Sequence, residues 1–544
     1  MEGIADYLDS LIGGVDLTFF SMAIGGIAWG LLILQPWKNQ SQIDEIWIDK
    51  SIGLTYFGAK ALIVSQAIKI ILKIWLMTAT LDRWPFPAFA ETVQFKAGLM
   101  RALFAVSLGL YIHFSLRKHK YSYKSWLYAA FFAIPLIIAG AWLVHGASRL
   151  ENRELLMALS VIHQLGAAVW IGGVFQLIVL WRLVKRNLIE TRNWPESLNS
   201  FSRLGSAAVL LLLVSGLPVA FYYIDTWQGF IGSGYGNLLL VKMLTLVIAL
   251  GFAWLNRKAV KNYLVSHNSH SLMYRVPHYI EAETFVLITL LFTAASLASQ
   301  PPAVDIPHLT ATFQEVLNTF APRIPRFSSP SHEALLAGEA GRVAIVGQVP
   351  SPAATEWSDY NHNISGIFLT VMSFFAMLSY SSRFHHWARY WPVGFVLLGI
   401  FLFFRSDAET WPLGPIGFWD STFNNGEVLQ HRIATLLVFM LGVVEMRART
   451  INTDKGVLPF IFPILAAFGG LMLLAHSHVG FQPKTAFLIQ VGHTLMGVFS
   501  LILACGRWLE LKLDSPGKNI AGFISVFALF QIGVILMFYR EPLY

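Results

Sequence analysis

Residues 160–181 read SVIHQLGAAVWIGGVFQLIVLW, 22 positions without an aspartate, glutamate, lysine or arginine. A bilayer core is crossed by a helix of about 20 apolar residues, because only a helix satisfies its own backbone polar groups in lipid. This stretch therefore reads as a membrane-spanning helix. The same criterion applied outward gives about fourteen spans, near 15–35, 52–78, 96–116, 125–145, 155–183, 203–224, 237–256, 280–299, 363–380, 391–405, 428–446, 457–475, 485–507 and 519–538. Composition agrees: of 544 residues, 55% are hydrophobic and 13% charged, and the mean hydropathy of +0.57 lies above the soluble range. The fold class is an all-α polytopic membrane protein.

The net charge of +8 sits in short clusters such as LRKHKYSYK, WRLVKRN, NRKAVKN and EMRARTINTDK, which alternate with aromatic or acidic loops. Basic loops mark the cytoplasmic side, so both termini are expected outside, towards the periplasm of a Gram-negative host. A nucleic-acid partner is not expected, since the basic residues form no continuous face. Between Gln300 and Asn361 the chain turns rich in proline and serine. That predicts an eight-helix bundle (1–300), an external linker (301–361) and a six-helix bundle (362–544). Cys505 is the one cysteine, so a CxxC thiolate site and CxxCH haem attachment are excluded. No GxxxxGK[ST] motif occurs, which argues against direct ATP-driven pumping. The acidic start, MEGIADYLDS, lacks the basic region of a secretory signal.

The opening stretch also carries a resemblance. SVIHQLGAAVWIGGVFQLIVLW looks like the characteristic helix of the CopD family of bacterial copper-resistance and copper-uptake membrane proteins. WLVHGAS precedes it, and FSRLGSAAVLLLLVSGLP and GYGNLLLVKMLTLVIALGFAWLNRK follow in the family's order. A last helix with Glu281 and Glu283 runs into ASQPPA, so the likeness spans roughly Gly140 to Pro302. It implies copper movement across, or copper handling at, the bacterial inner membrane. From the residues alone, His145 and His163 fall at neighbouring outer ends of successive helices, where two imidazoles suit Cu(I); the alternative is an interhelical hydrogen bond from each. Met157 is a thioether candidate or core filler. Lys242 either snorkels or joins a pathway with Glu281 and Glu283. Gly172 and Gly173 read as packing positions. Lys60, Lys69 and Lys73 line a polar cavity or mark an interfacial helix.

The second bundle contains LLAHSHVGFQPKTAFLIQVGHTLMG, Leu473 to Gly497. His476 and His478 fall at an outer helix end and His493 two turns into the next helix, while His362 and His431 open two further helices from that side. Five histidines at one depth predict a metal or cofactor site. The His-Ser-His spacing favours copper, with Asp359 and Glu427 as outer partners. The alternative is b-type haem between His431 and His493, making the protein a membrane cytochrome or quinone-linked metal reductase. VLQHRIATLLVF is similar, over a dozen residues, to the histidine helix of the CtaG family of cytochrome-oxidase assembly proteins. The leading expectation is a copper transporter working as an importer, or a donor to a client, served by a periplasmic copper-binding partner; a purely structural subunit is the remaining option.

Overall fold

A computed structural model describes residues 2–38, 44–81, 84–266, 269–339, 351–381, 383–450, 456–475 and 483–542. Fourteen helical spans are long and apolar enough to cross a membrane. They are Tyr7–Leu34 (α1), Glu45–Thr78 (α2), Val93–Leu116 (α3), Tyr123–Ala141 (α4), Arg153–Lys185 (α5), Asn193–Tyr223 (α6) and Gly234–Ser266 (α7), followed by Val276–Asp305 (α8), Pro352–Leu378 (α9), His385–Arg405 (α10), Gly426–Thr450 (α11), Leu458–Ala475 (α12), Pro483–Lys512 (α13) and Gly517–Met537 (α14). Every expected span has its counterpart.

The largest difference is at α9, which starts at Pro352 rather than near 363. The prolines and serines there read as linker, yet Ser351 is an N-cap whose hydroxyl accepts from Ala354 N, with Pro352 at the first helical position. A serine cap followed by proline is a start signal, because proline lacks only an N–H that the first turn cannot use. Three turns of polar helix, including Asp359 and His362, thus belong to the span. The preceding segment also holds the short helices Phe313–Thr319, opened by a Thr312–Glu315 capping box, and His332–Glu339.

The chain forms two compact units. One contains residues 9–223 and 246–298; the other contains 1–8, 224–245 and 299–544. In the first unit, α1 and α5 cross at Gly25 and Gly172: a Cβ on either would strike the facing backbone, at Ala168 and Ser21 respectively. Small residues permit that approach. Gly173 similarly faces the Phe201 ring, so both glycines do the packing expected of them. In the lysine set of α2, Lys73 pairs with Asp9 at 2.9 Å and Lys60 lies over the Tyr56 ring. Deeper inside, Arg101 of α3 meets Asp16 of α1 at 3.0 Å, and Ser65 and Gln66 donate to the same carboxylate.

In the second unit, Gly366 of α9 lies against the backbone of Met537, and Gly533 of α14 against Thr370. Gly470 and Gly497 bring α12 and α13 together. A buried ionic network ties two helices, α11 and α13: Glu445 accepts from Arg449 at 2.6 Å and Arg507 at 2.9 Å, while Arg507 also meets Glu510 at 2.8 Å. Tyr380, just beyond α9, donates to Glu510 at 2.7 Å.

Candidate metal centre

The second unit brings His362 of α9 and His493 of α13 together, their rings edge to face with centroids 5.9 Å apart. Each Nδ1 donates to the carbonyl one turn earlier on its own helix: His362 to Ser358 O and His493 to Ile489 O, both at 2.9 Å. A carbonyl only accepts, so the proton is on Nδ1 and Nε2 carries the lone pair in both rings. That is how metal-binding histidines are held, the second nitrogen fixing tautomer and ring orientation.

His431, in the first turns of α11, has the same arrangement with a stronger partner. Its Nδ1 lies 2.8 Å from Asp407 Oδ1 in the loop after α10. Asp407 is nine-tenths buried, and its Oδ2 has no hydrogen-bond partner. His431 is within electrostatic reach of both other imidazoles. All three described histidines therefore present Nε2.

The C-terminal segment after α14 closes this region. The Tyr539 ring stacks on His362 at 4.1 Å and stands 6.0 Å from His493. Glu541 accepts from Ser358 Oγ at 2.6 Å, and its backbone N–H donates to Asp359 at 2.8 Å. Burial pushes the Glu541 carboxyl above the usual carboxylate range. Asp359 also meets Arg326 at 3.3 Å and Arg540 at 3.6 Å. Glu427, the other expected outer partner, sits at the start of α11, where Asn425 accepts from its N–H.

Two imidazole nitrogens each about 2 Å from one metal place their rings roughly 6 Å apart, which the His362–His493 spacing matches. Among the described residues, no group of three or more His, Cys, Asp or Glu side chains is set to hold a metal. His476 and His478 lie outside the described residues.

The other expected positions are more dispersed. His145 packs its ring edge-on to Tyr223, centroids 6.1 Å apart. His163 lies 3.2 Å from Ser215 Oγ of α6, beside Gly216. The contact is an interhelical one. Met157 is half-buried on α5 and Lys242 half-buried on α7. Glu281 pairs with His278 at 3.0 Å, whereas Glu283 is fully buried and accepts from Trp170 and Asn256.

Asp407, Tyr539, Glu541 and Ser358 escaped the sequence reading. Asp407 was visible only as one acid of the loop SDAETWPLGPIGFWDSTFNNGE; the other three had no signal, since a tail residue acquires meaning only when it folds back.

Among known proteins, the family model described as Copper resistance protein D matches residues 195–297. That stretch is similar to the CopD family. It contains α6, α7 and most of α8, the part of the chain following the motif helix. Copper transport protein CutJ of Bacillus subtilis (strain 168) is 27% identical over 214 residues, covering 39% of this chain and 37% of the relative. The alignment thus leaves most of the relative's length unmatched. No solved structure matches the chain. The fourteen apolar helices are those of a polytopic membrane protein, and the copper association is that of the family model and the relative it resembles.

Proposed function

We propose that this protein binds copper at the outer side of the bacterial inner membrane and moves it inward, or delivers it to a client. The observation that carries the reading is the shared setting of three histidines: His362, His431 and His493 each commit Nδ1 to a protein oxygen and present Nε2. Two imidazoles at this spacing suit Cu(I), which accepts two-coordinate nitrogen ligation. We assign His362 and His493 as the ligand pair, His431 with Asp407 as the adjoining position, and His476 and His478 as further donors from the segment between α12 and α13. His145 and His163 are proposed as an outer entry point in the CopD-like part, residues 1–300, with Met157, Glu281 and Glu283 along the route, and Lys242 as a pathway residue of the second unit. The external segment between α8 and α9 would receive a soluble copper-binding partner.

The likeness to the CopD family and the relative named for copper transport support this choice of ion. The test is copper content of purified protein in nanodiscs, by elemental analysis after Cu(I) loading. Bound copper should fall in the His362→Ala, His493→Ala double variant. Unchanged stoichiometry would sink the assignment.

A further inference from the structure

The first unit contains two buried carboxylates that are treated in opposite ways. Asp16 is given a cation, Arg101, and two further donors, Ser65 and Gln66. Such a setting fixes a negative charge. Glu283, in α8 about 10 Å of helix from Val276, is 2% exposed and receives only neutral donors. Trp170 Nε1 of α5 lies 3.2 Å from its Oε1, and Asn256 Nδ2 of α7 lies 3.0 Å from its Oε2.

Charged groups on the surrounding helices point to other partners. On α7, Arg257 donates to Ser206 at 2.9 Å and Lys258 lies over Trp254. On α8 itself, Glu281 is held by His278. Among the described residues, no cation comes within ion-pair distance of Glu283. An ionised carboxylate in such a place carries a heavy desolvation penalty that two neutral N–H groups do not offset, whereas a protonated one does not. The amide that donates to Glu283 also carries an acceptor oxygen. Asn256 Oδ1, on a side chain 9% exposed, is buried without a partner.

We propose that Glu283, Trp170 and Asn256 form a proton-binding site, in which the Glu283 carboxyl holds an exchangeable proton that it releases when a cation enters this unit. In that step the O–H bond breaks, the proton passes to water and its electron pair stays on the carboxylate. The Trp170 and Asn256 N–H groups keep their bonds to the anion, and the entering cation supplies the missing positive charge. Intramembrane carboxyls in proton relays work on this principle. The cation being copper rests on the function proposed above; the proton site itself does not.

The test uses full-length protein in nanodiscs and infrared difference spectra between acid and alkaline buffer, without copper. A protonated-carboxyl C=O band above the amide region should be lost in Glu283→Gln and displaced in Trp170→Phe, which removes one donor and keeps the carboxyl. It should be unmoved in Glu281→Gln. Absence of the band in the wild type, or its persistence in Glu283→Gln, would overturn the site.

A second arm adds Cu(I) and follows proton release with a pH dye. Release per copper bound should occur in the wild type and fall several-fold in Glu283→Gln. Equal release in both would overturn the coupling and leave the copper reading intact. No copper bound by either protein would overturn the copper reading, with the infrared arm still deciding the proton site.

Discussion

The imidazoles of His362 and His493 meet edge to face, 5.9 Å between centroids, although 131 positions separate them in the chain (493 − 362). Each is locked by a hydrogen bond to its own helix, so the pair is oriented before any ion arrives. Such preorganisation makes the pair more sensitive to partners of the ligands than to their neighbours in sequence.

Asp407 holds the ring of His431. Asp407→Asn should weaken copper binding about 10- to 100-fold, the usual loss when a ligand's carboxylate partner is removed. Competition titration with a Cu(I) chelator checks it; an unchanged affinity would remove His431 from the site.

The crossing of α1 and α5 leaves no room for a side chain at Gly172. Gly172→Ala should cost about 1–3 kcal/mol, as overpacking does. Thermal unfolding in detergent should show a lowered midpoint, while Gly251→Ala, which faces open space, should leave it nearly unmoved.

Glu445 is fully buried between Arg449 and Arg507. Glu445→Ala takes the carboxylate from Arg449 and leaves Arg507 with Glu510 alone, and should destabilise by about 3–5 kcal/mol. Replacing Glu445 and Arg507 together by leucine and methionine should cost less than the sum of the single changes; strict additivity in a double-mutant cycle would rule out the network.

Lys484 and the Thr312 backbone beside Glu315 hold its carboxyl below the usual range, its ordinary value being 4.5. A depressed acid stabilises the folded form above that value and loses the contribution as pH falls through the folded one. Hydrogen exchange in Phe313–Thr319, corrected for intrinsic rate, should therefore accelerate below pH 4.5. In Glu315→Gln that dependence should flatten.

Hydropathy alone determined the fourteen spans and the all-α class, because lipid leaves the backbone no alternative to helix. Histidine in oil likewise marked His362, His431 and His493 as positions needing explanation. Where the sequence misled, as at Ser351–Pro352, composition was read in place of local chemistry: a serine and a proline make a linker in bulk and a helix cap in order. Which histidines touch was beyond it, since depth along a helix says nothing about azimuth. Packing of α9, α13 and the returning tail decided that His362 faces His493 under Tyr539, and packing elsewhere decided that Asp407 orients His431 and that Glu283 has only neutral donors while Asp16 has Arg101. Those relations depend on side chains from distant segments meeting in three dimensions, and only the tertiary structure sets them.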